Sequence, residues 1–273
     1  MGWVISGLLS ALLLLGPAPS APAERPIAIP VGDGVTLSAT LTVPPGAGPY
    51  PGAVLVGGFG PSNRDGVFGD REGGTYREIA LGLAGRGVAV LRYDKRGIGD
   101  SGGSPLSWLD ARPLAADAAA AVRAMAQLPG IDRTRVALIG HSQGGDLALE
   151  AARRAPATRV VTLSAPGRPL GLLPRVSGTA GRVLRRLVGP EVARATLRRD
   201  PRVDAALVRQ PVLLVQGTRD RTVPVSDMAL LAAARREGGL PTTTLTVPGA
   251  GHFLQVEGRV PLRALDAVAA FVD

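Results

Sequence analysis

Val136-Ala137-Leu138-Ile139-Gly140-His141-Ser142-Gln143-Gly144-Gly145 is the stretch on which the fold turns. A short apolar run enters Gly-x-Ser-x-Gly, and an Ala/Leu-rich run from Gln143 to Arg154 leaves it. The order is strand, sharp turn, helix. In that context a serine hydroxyl stands at the tip of a strained turn and projects into a cleft. Gly140 and Gly144, two residues before and two after Ser142, let strand and helix approach closely. The plainer alternative is a glycine-rich connection holding an incidental serine. The flanking apolar strand and the helix weigh against it.

A serine is a poor nucleophile without a base, and the base needs an orienting group. The chain has two histidines. His141 lies inside the turn, and its side chain is expected to point away, because neighbours on a tight turn diverge. His252 lies in the glycine-rich loop Pro248-Gly249-Ala250-Gly251-His252-Phe253, after the apolar run Thr244 to Val247. It is the candidate base. Pro211 to Asp220 reads as a buried strand and a turn. Asp220, just past the strand's carboxyl end, is the candidate acid, accepting a hydrogen bond from one ring nitrogen of His252. Asp227 is the runner-up, in a predicted helix over Ser226 to Glu237, where it more readily serves the first turn. The anion that forms on an attacked carbonyl needs donors. One candidate is the backbone N–H of Gln143. The other is that of Phe59, with Gly58 as the close alternative, in the loop after the strand Ala53 to Val56.

Three more stretches carry a resemblance that covers most of the chain. They are Gly57-Gly58-Phe59-Gly60-Pro61-Ser62-Asn63-Arg64-Asp65-Gly66, Leu91 to Ser101, and Gln216 to Pro224. With the Ser142 turn, they resemble the α/β-hydrolases of the bacterial esterase and serine-aminopeptidase-like group. The chain order Ser142, Asp220, His252 is the one that family uses. Phe59 and Asn63 depart from the family's commoner residues in the first loop. The resemblance implies a mostly parallel central sheet with helices on both faces and a short helical cap inserted after the sixth strand. It is specific for fold and weakly specific for substrate. The loop from Asp94 to Ser101 is expected to be a structural brace, with Asp94 and Arg96 satisfied by local backbone.

The hydrophobic pattern agrees. Strands are predicted at Val35 to Thr42, Val54 to Val56, Val88 to Leu91, Val136 to Ile139, Val160 to Leu163, Val212 to Val215 and Thr243 to Val247. Helices are predicted near Thr75 to Arg86, Ala115 to Gln127, Gln143 to Arg154, Ser226 to Glu237 and Leu262 to Phe271. Strands alternating with helices imply a mostly parallel sheet covered on both sides. The 273 residues suffice for one large domain. With 45% hydrophobic and 3% aromatic residues, Ala, Val and Leu must build its core. There is no cysteine, hence no disulfide or thiol chemistry. The sequence offers no Cys/His cluster for zinc, and no metal or cofactor is expected.

The first 23 residues read as a signal peptide. Trp3 to Leu15 is largely apolar, Gly16-Pro17-Ala18-Pro19 breaks any helix, and Ala21-Pro22-Ala23 ends it. Cleavage is expected after Ala23, leaving residues 24–273 as a secreted or periplasmic hydrolase domain. No Lys or Arg precedes the apolar run. An uncleaved anchor is therefore the alternative, and the one route to a membrane.

The stretch 166–210 breaks the strand-helix rhythm and is the expected cap. It carries ten arginines against Glu191, Asp200 and Asp204, most of the chain's net charge of +9. Val183, Leu184, Leu187 and Val188 predict a short amphipathic helix. The basic excess either attracts anionic acyl substrates or is a solvated face in a chain that prefers arginine. The single lysine, Lys95, fits the second reading. Charge without aromatic or motif support gives no nucleic-acid partner. The expected partner is a small-molecule ester. A peptidase or lipase on the same three residues is the near alternative, and a non-catalytic hydrolase-like binding protein the distant one.

Overall fold

A computed structural model describes residues 21–67, 74–173, 176 and 179–273. The apolar leader, up to Ser20, lies outside the described residues. Eight strands form one sheet: β1 (Ala23–Pro30), β2 (Thr36–Val43), β3 (Tyr50–Val56), β4 (Ala89–Tyr93), β5 (Ile131–His141), β6 (Arg159–Leu163), β7 (Val212–Gly217) and β8 (Thr242–Val247). Their order is β1-β2-β4-β3-β5-β6-β7-β8. β2 pairs antiparallel with β1 and β4, and every other pairing is parallel. A parallel sheet hidden on both faces needs strands apolar on both sides. β3 meets that need by sending Val54 and Val56 into one core layer and Ala53 and Leu55 into the other.

Helices α1 (Thr75–Ala84) and α7 (Leu262–Val272) pack against one face. Helices α2 (Ala111–Met125), α3 (Gln143–Ala152) and α6 (Val225–Glu237) pack against the other. Asp110 caps α2 by accepting from Arg112 N, and Asp200 caps the short helix Pro201–Leu207 in the same way.

The strand β1 is absent from the sequence reading. Pro26 and Pro30 interrupt it, and most of it is exposed. As the sheet's outer strand it tolerates prolines that cannot donate to a ladder. The expected cap also needs revision. Between β6 and β7 run α4 (Thr179–Leu197), broken at Gly189 (φ 76°, ψ 169°) before Pro190, and α5 (Pro201–Leu207). Ala205 and Val208 enter the main core beside Leu231 of α6. The end of the 166–210 interval therefore belongs to the sheet's helical layer. Its earlier part, through Leu170, Leu173, Ala193 and Leu197, packs on Val223 and Phe59.

Because β3, β5, β7 and β8 run parallel, their carboxyl ends open at one edge of the sheet. That edge is where open α/β sheets gather functional loops. The segments after those four strands carry Phe59, Ser142, Asp220 and His252 respectively.

Candidate active site

Ser142 separates β5 from α3 with φ 54° and ψ −126°, a conformation that costs energy for a residue with a side chain. Its neighbours hold it there. Ser142 N–H donates to Leu163 O at 2.8 Å, and Gly145 N–H donates to Ser142 O at 2.9 Å. The glycines are demanded by close approach. A Cβ on Gly140 would lie 2.1 Å from Gly144 O, and one on Gly144 would lie 2.2 Å from Val56 O.

Three side chains remote in sequence meet above this turn. Ser142 Oγ lies 3.1 Å from His252 Nε2, and His252 Nδ1 lies 2.8 Å from Asp220 Oδ2. The carboxylate can only accept from Nδ1–H, so Nε2 is left to accept the serine proton. Asp220 is fixed in turn. Its Oδ1 accepts from Thr222 N and Val223 N at 2.8 and 2.9 Å, and its Oδ2 also accepts from Gln216 Nε2 at 2.9 Å. Burial pushes this carboxyl up, but the His252 contact and the two amides outweigh it and hold it below the usual range. Asp227 lies elsewhere. It is fully buried and accepts from Gly167 N at 3.0 Å and Arg168 Nε at 2.8 Å, tying the start of the insertion to α6.

Between the two anion-donor candidates of the first loop, the structure gives a physical distinction. Gly58 N–H is taken by Tyr76 Oη at 2.9 Å. Phe59 N–H and Gln143 N–H have no partner among the described residues. The Gly58 backbone also lies tight against Ser142, since a Cβ there would come within 3.0 Å of Ser142 Cβ.

His141, expected only to point away, has partners of its own. Its ring is buried, and its centroid is 4.8 Å from that of His252. Its Nε2 lies 2.9 Å from His252 O, and its Nδ1 lies 2.9 Å from Tyr76 Oη. A carbonyl accepts only, so Nε2 carries the proton and Nδ1 accepts from the tyrosine. Burial, seconded by the neighbouring His252, lowers His141 to about 3, so the ring is neutral. A directed chain results: Gly58 N–H to Tyr76 O–H to His141, and His141 N–H to the backbone of His252. The turn's divergence does send the ring away from the cleft, but into the His252 loop.

The loop after β4 braces the site, with Asp94 held by backbone as expected and Arg96 held otherwise. Asp94 accepts from the backbone of Arg64 and Asp100, and pairs with the Arg64 guanidinium at 2.8 Å. Arg96 is satisfied by the buried carboxylate of Asp117, at 2.7 and 2.6 Å, and not by backbone. Lys95, between them, reaches under the first loop to Gly58 O at 2.6 Å and to Gly60 O. Trp108 closes this corner, with its ring 5.4 Å from that of Phe59 and 5.8 Å from Lys95 Nζ. Sequence reasoning missed Tyr76, Gln216 and Lys95. The one available signal was the lone lysine set among thirty arginines.

The sequence model of the family described as "Serine aminopeptidase, S33" matches residues 70–203. An uncharacterized protein of Mycobacterium tuberculosis is 33% identical over 94% of this chain and 83% of its own length. The chain belongs to the α/β-hydrolases. Within them it falls in the group of bacterial esterases and serine-aminopeptidase-like enzymes. Esterase EstD of Thermotoga maritima is 30% identical over 86% of this α/β-hydrolase, which spans 65% of that esterase's length. The α/β hydrolase GrgF from Penicillium superposes with a TM-score of 0.73 at 20% identity, covering 92% of this chain and 98% of its own. That likeness concerns the fold alone.

Proposed function

We propose that the chain is a serine hydrolase that cleaves carboxylic esters through an acyl-serine intermediate. The observation that carries this reading is the unbroken chain from Ser142 Oγ to His252 to Asp220, at 3.1 and 2.8 Å. His252 Nε2 takes the Ser142 proton as the oxygen attacks the ester carbonyl. The resulting anion rests on the N–H groups of Phe59 and Gln143. The protonated His252 gives its proton to the departing alcohol, and Asp220 stabilises the imidazolium in the interval. Water, deprotonated by the same histidine, then releases the acid. The relative named an esterase supports this chemistry.

A peptidase on the same residues is the second reading, favoured by the matching family description. A free amino terminus would need a carboxylate to receive it. The acids of the insertion are engaged with arginine: Asp200 with Arg202, Asp204 with Arg153 and Arg199, and Glu191 at 3.9 Å from Arg112. This supports the ester. We also place the mature enzyme outside the cytoplasm, on the strength of the apolar leader and its Ala21-Pro22-Ala23 end.

The test compares short p-nitrophenyl esters with aminoacyl p-nitroanilides, using wild type and Ser142→Ala. Wild type should turn over the esters and bind a fluorophosphonate covalently. Ser142→Ala should do neither while unfolding at the same temperature. Labelling that persists in Ser142→Ala, or ester turnover that survives it, sinks the assignment. Faster anilide than ester turnover would transfer the protein to the second reading.

A further inference from the structure

The chain's single lysine is buried where a cation is costly. Lys95 retains 3% exposure. Its hydrogen bonds go to two carbonyls, those of Gly58 and Gly60, and among the described residues its one other partner is the Trp108 ring. Among the described residues no carboxylate pairs with it. Its neighbour Asp94 is spent on Arg64, and Arg96 is spent on Asp117. The titratable groups packed nearby are His141, kept neutral, and Tyr76, whose phenol burial raises to about 12. Neither is an anion at neutral pH, so among the described residues the ammonium has no local counter-charge.

The atom it grips explains the arrangement. Gly58 O and Phe59 N belong to one peptide unit, and that unit is trans. In a trans unit C=O and N–H point in opposite directions. A cation that holds the carbonyl beneath the loop therefore turns the Phe59 N–H to the opposite side. A cation on the oxygen also draws density through the amide, which makes the N–H a stronger donor. The preceding peptide is fixed too, because Gly58 N–H is held by Tyr76. The N–H of half-buried Phe59, next in the chain to the glycine that packs against Ser142, is thus a fixed donor without a partner among the described residues.

We propose that Lys95 is a positioning residue for acyl transfer: acting through the Gly58–Phe59 peptide, it aims and polarises the N–H that receives the oxyanion. This rests on the serine-hydrolase reading above. The tetrahedral adduct supplies the counter-charge that no described residue gives Lys95 at rest. Donors and charges oriented before reaction, toward where charge will develop, are the usual source of such stabilisation. Burial lowers the ammonium to about 7, so the free protein holds this charge near its limit.

The single lysine makes the test direct. Protein labelled with 15N-lysine gives one side-chain signal, which is titrated in the full chain with and without an alkyl boronic acid bound to Ser142. The anionic boronate adduct should raise the Lys95 titration midpoint by about one pH unit or more. Two variants complete the experiment. Lys95→Met should lower kcat about 30-fold or more, approaching the loss of one oxyanion donor, with KM changed less than about twofold. Lys95→Gln retains an N–H for Gly58 O but no charge, and should fall between Met and wild type. A midpoint that the adduct leaves unmoved overturns the proposal even if neither variant folds. Folded variants with wild-type kcat also overturn it. If the boronate fails to engage Ser142 and Ser142→Ala stays active, the serine-hydrolase reading fails, and this inference with it.

Discussion

Asp220 shows how much one carboxylate is asked to do. Its Oδ1 serves two backbone N–H groups of the following turn, and its Oδ2 serves His252 and Gln216. Asparagine in its place would keep its oxygen for the two amides and turn an NH₂ toward His252. The ring would then have to accept at Nδ1 and carry its proton at Nε2, facing Ser142. Asp220→Asn should therefore cost roughly 10⁴-fold in kcat, the scale of a wrong tautomer in a Ser-His-Asp site. It should also change stability against pH. The folded carboxyl lies below the ordinary value near 3.9. Its stabilisation is thus complete above that value and is lost as pH falls through the lower folded one. Acid unfolding of wild type and Asp220→Asn should converge as pH drops below about 4. Parallel curves would contradict the assigned shift. Ser142, Asp220 and His252 were legible as residue types in chain order. The contacts of His141 and Lys95 were not, because a one-dimensional pattern does not say which carbonyl a buried donor will meet. The divergence rule for His141 considered only its neighbour in sequence, whereas its partners lie 65 and 111 residues away.

The turn between β5 and α3 is the element in which fold and chemistry are least separable. Gly144 packs against the end of β3, so a Cβ there would meet Val56 O at 2.2 Å and Gly57 O at 2.6 Å. Those atoms are backbone and cannot rotate aside. Gly144→Ala must push α3 from the sheet, at a cost of about 3 kcal/mol or more. It should also widen the gap between Ser142 and the Phe59 loop, lowering fluorophosphonate labelling. Gly251→Ala is the control. Nothing lies within 4 Å of a Cβ there, and its stability should stay within about 0.5 kcal/mol of wild type in urea denaturation. Strands hidden on both faces announced themselves as apolar runs, which is why β3 to β7 could be read in advance. β1 could not, since an outer strand needs neither continuous apolarity nor a full set of donors. The last part of the insertion was misplaced for a related reason. The short helix Pro201–Leu207 hides only Pro201, Asp204 and Ala205, too few to show a period.

At the scale of the whole molecule, several charged side chains act as fastenings. Arg199 of the insertion gathers Asp146, Glu150 and Asp204, and Arg168 holds Asp227. Arg235, fully buried in α6, donates to the carbonyls of Ala205, Val208, Gln210 and Pro241 and so knits the route into β7 to the entry of β8. A net charge read from composition could not distinguish such internal rivets from a free basic surface. The scarcity of aromatic residues has a practical counterpart. The chain has two tryptophans, Trp3 in the apolar N-terminal stretch and Trp108 against both Phe59 and Lys95. In Trp3→Phe, or with Trp3 removed along with the N-terminal stretch, all indole emission would come from that corner. Its intensity should change when a boronic acid occupies Ser142 and should follow the lysine's protonation between about pH 6 and 8. Emission indifferent to both would show that the corner does not sense the reacting serine. If it responds, the protein carries its own optical gauge, and acylation can be timed in stopped flow without a chromogenic substrate.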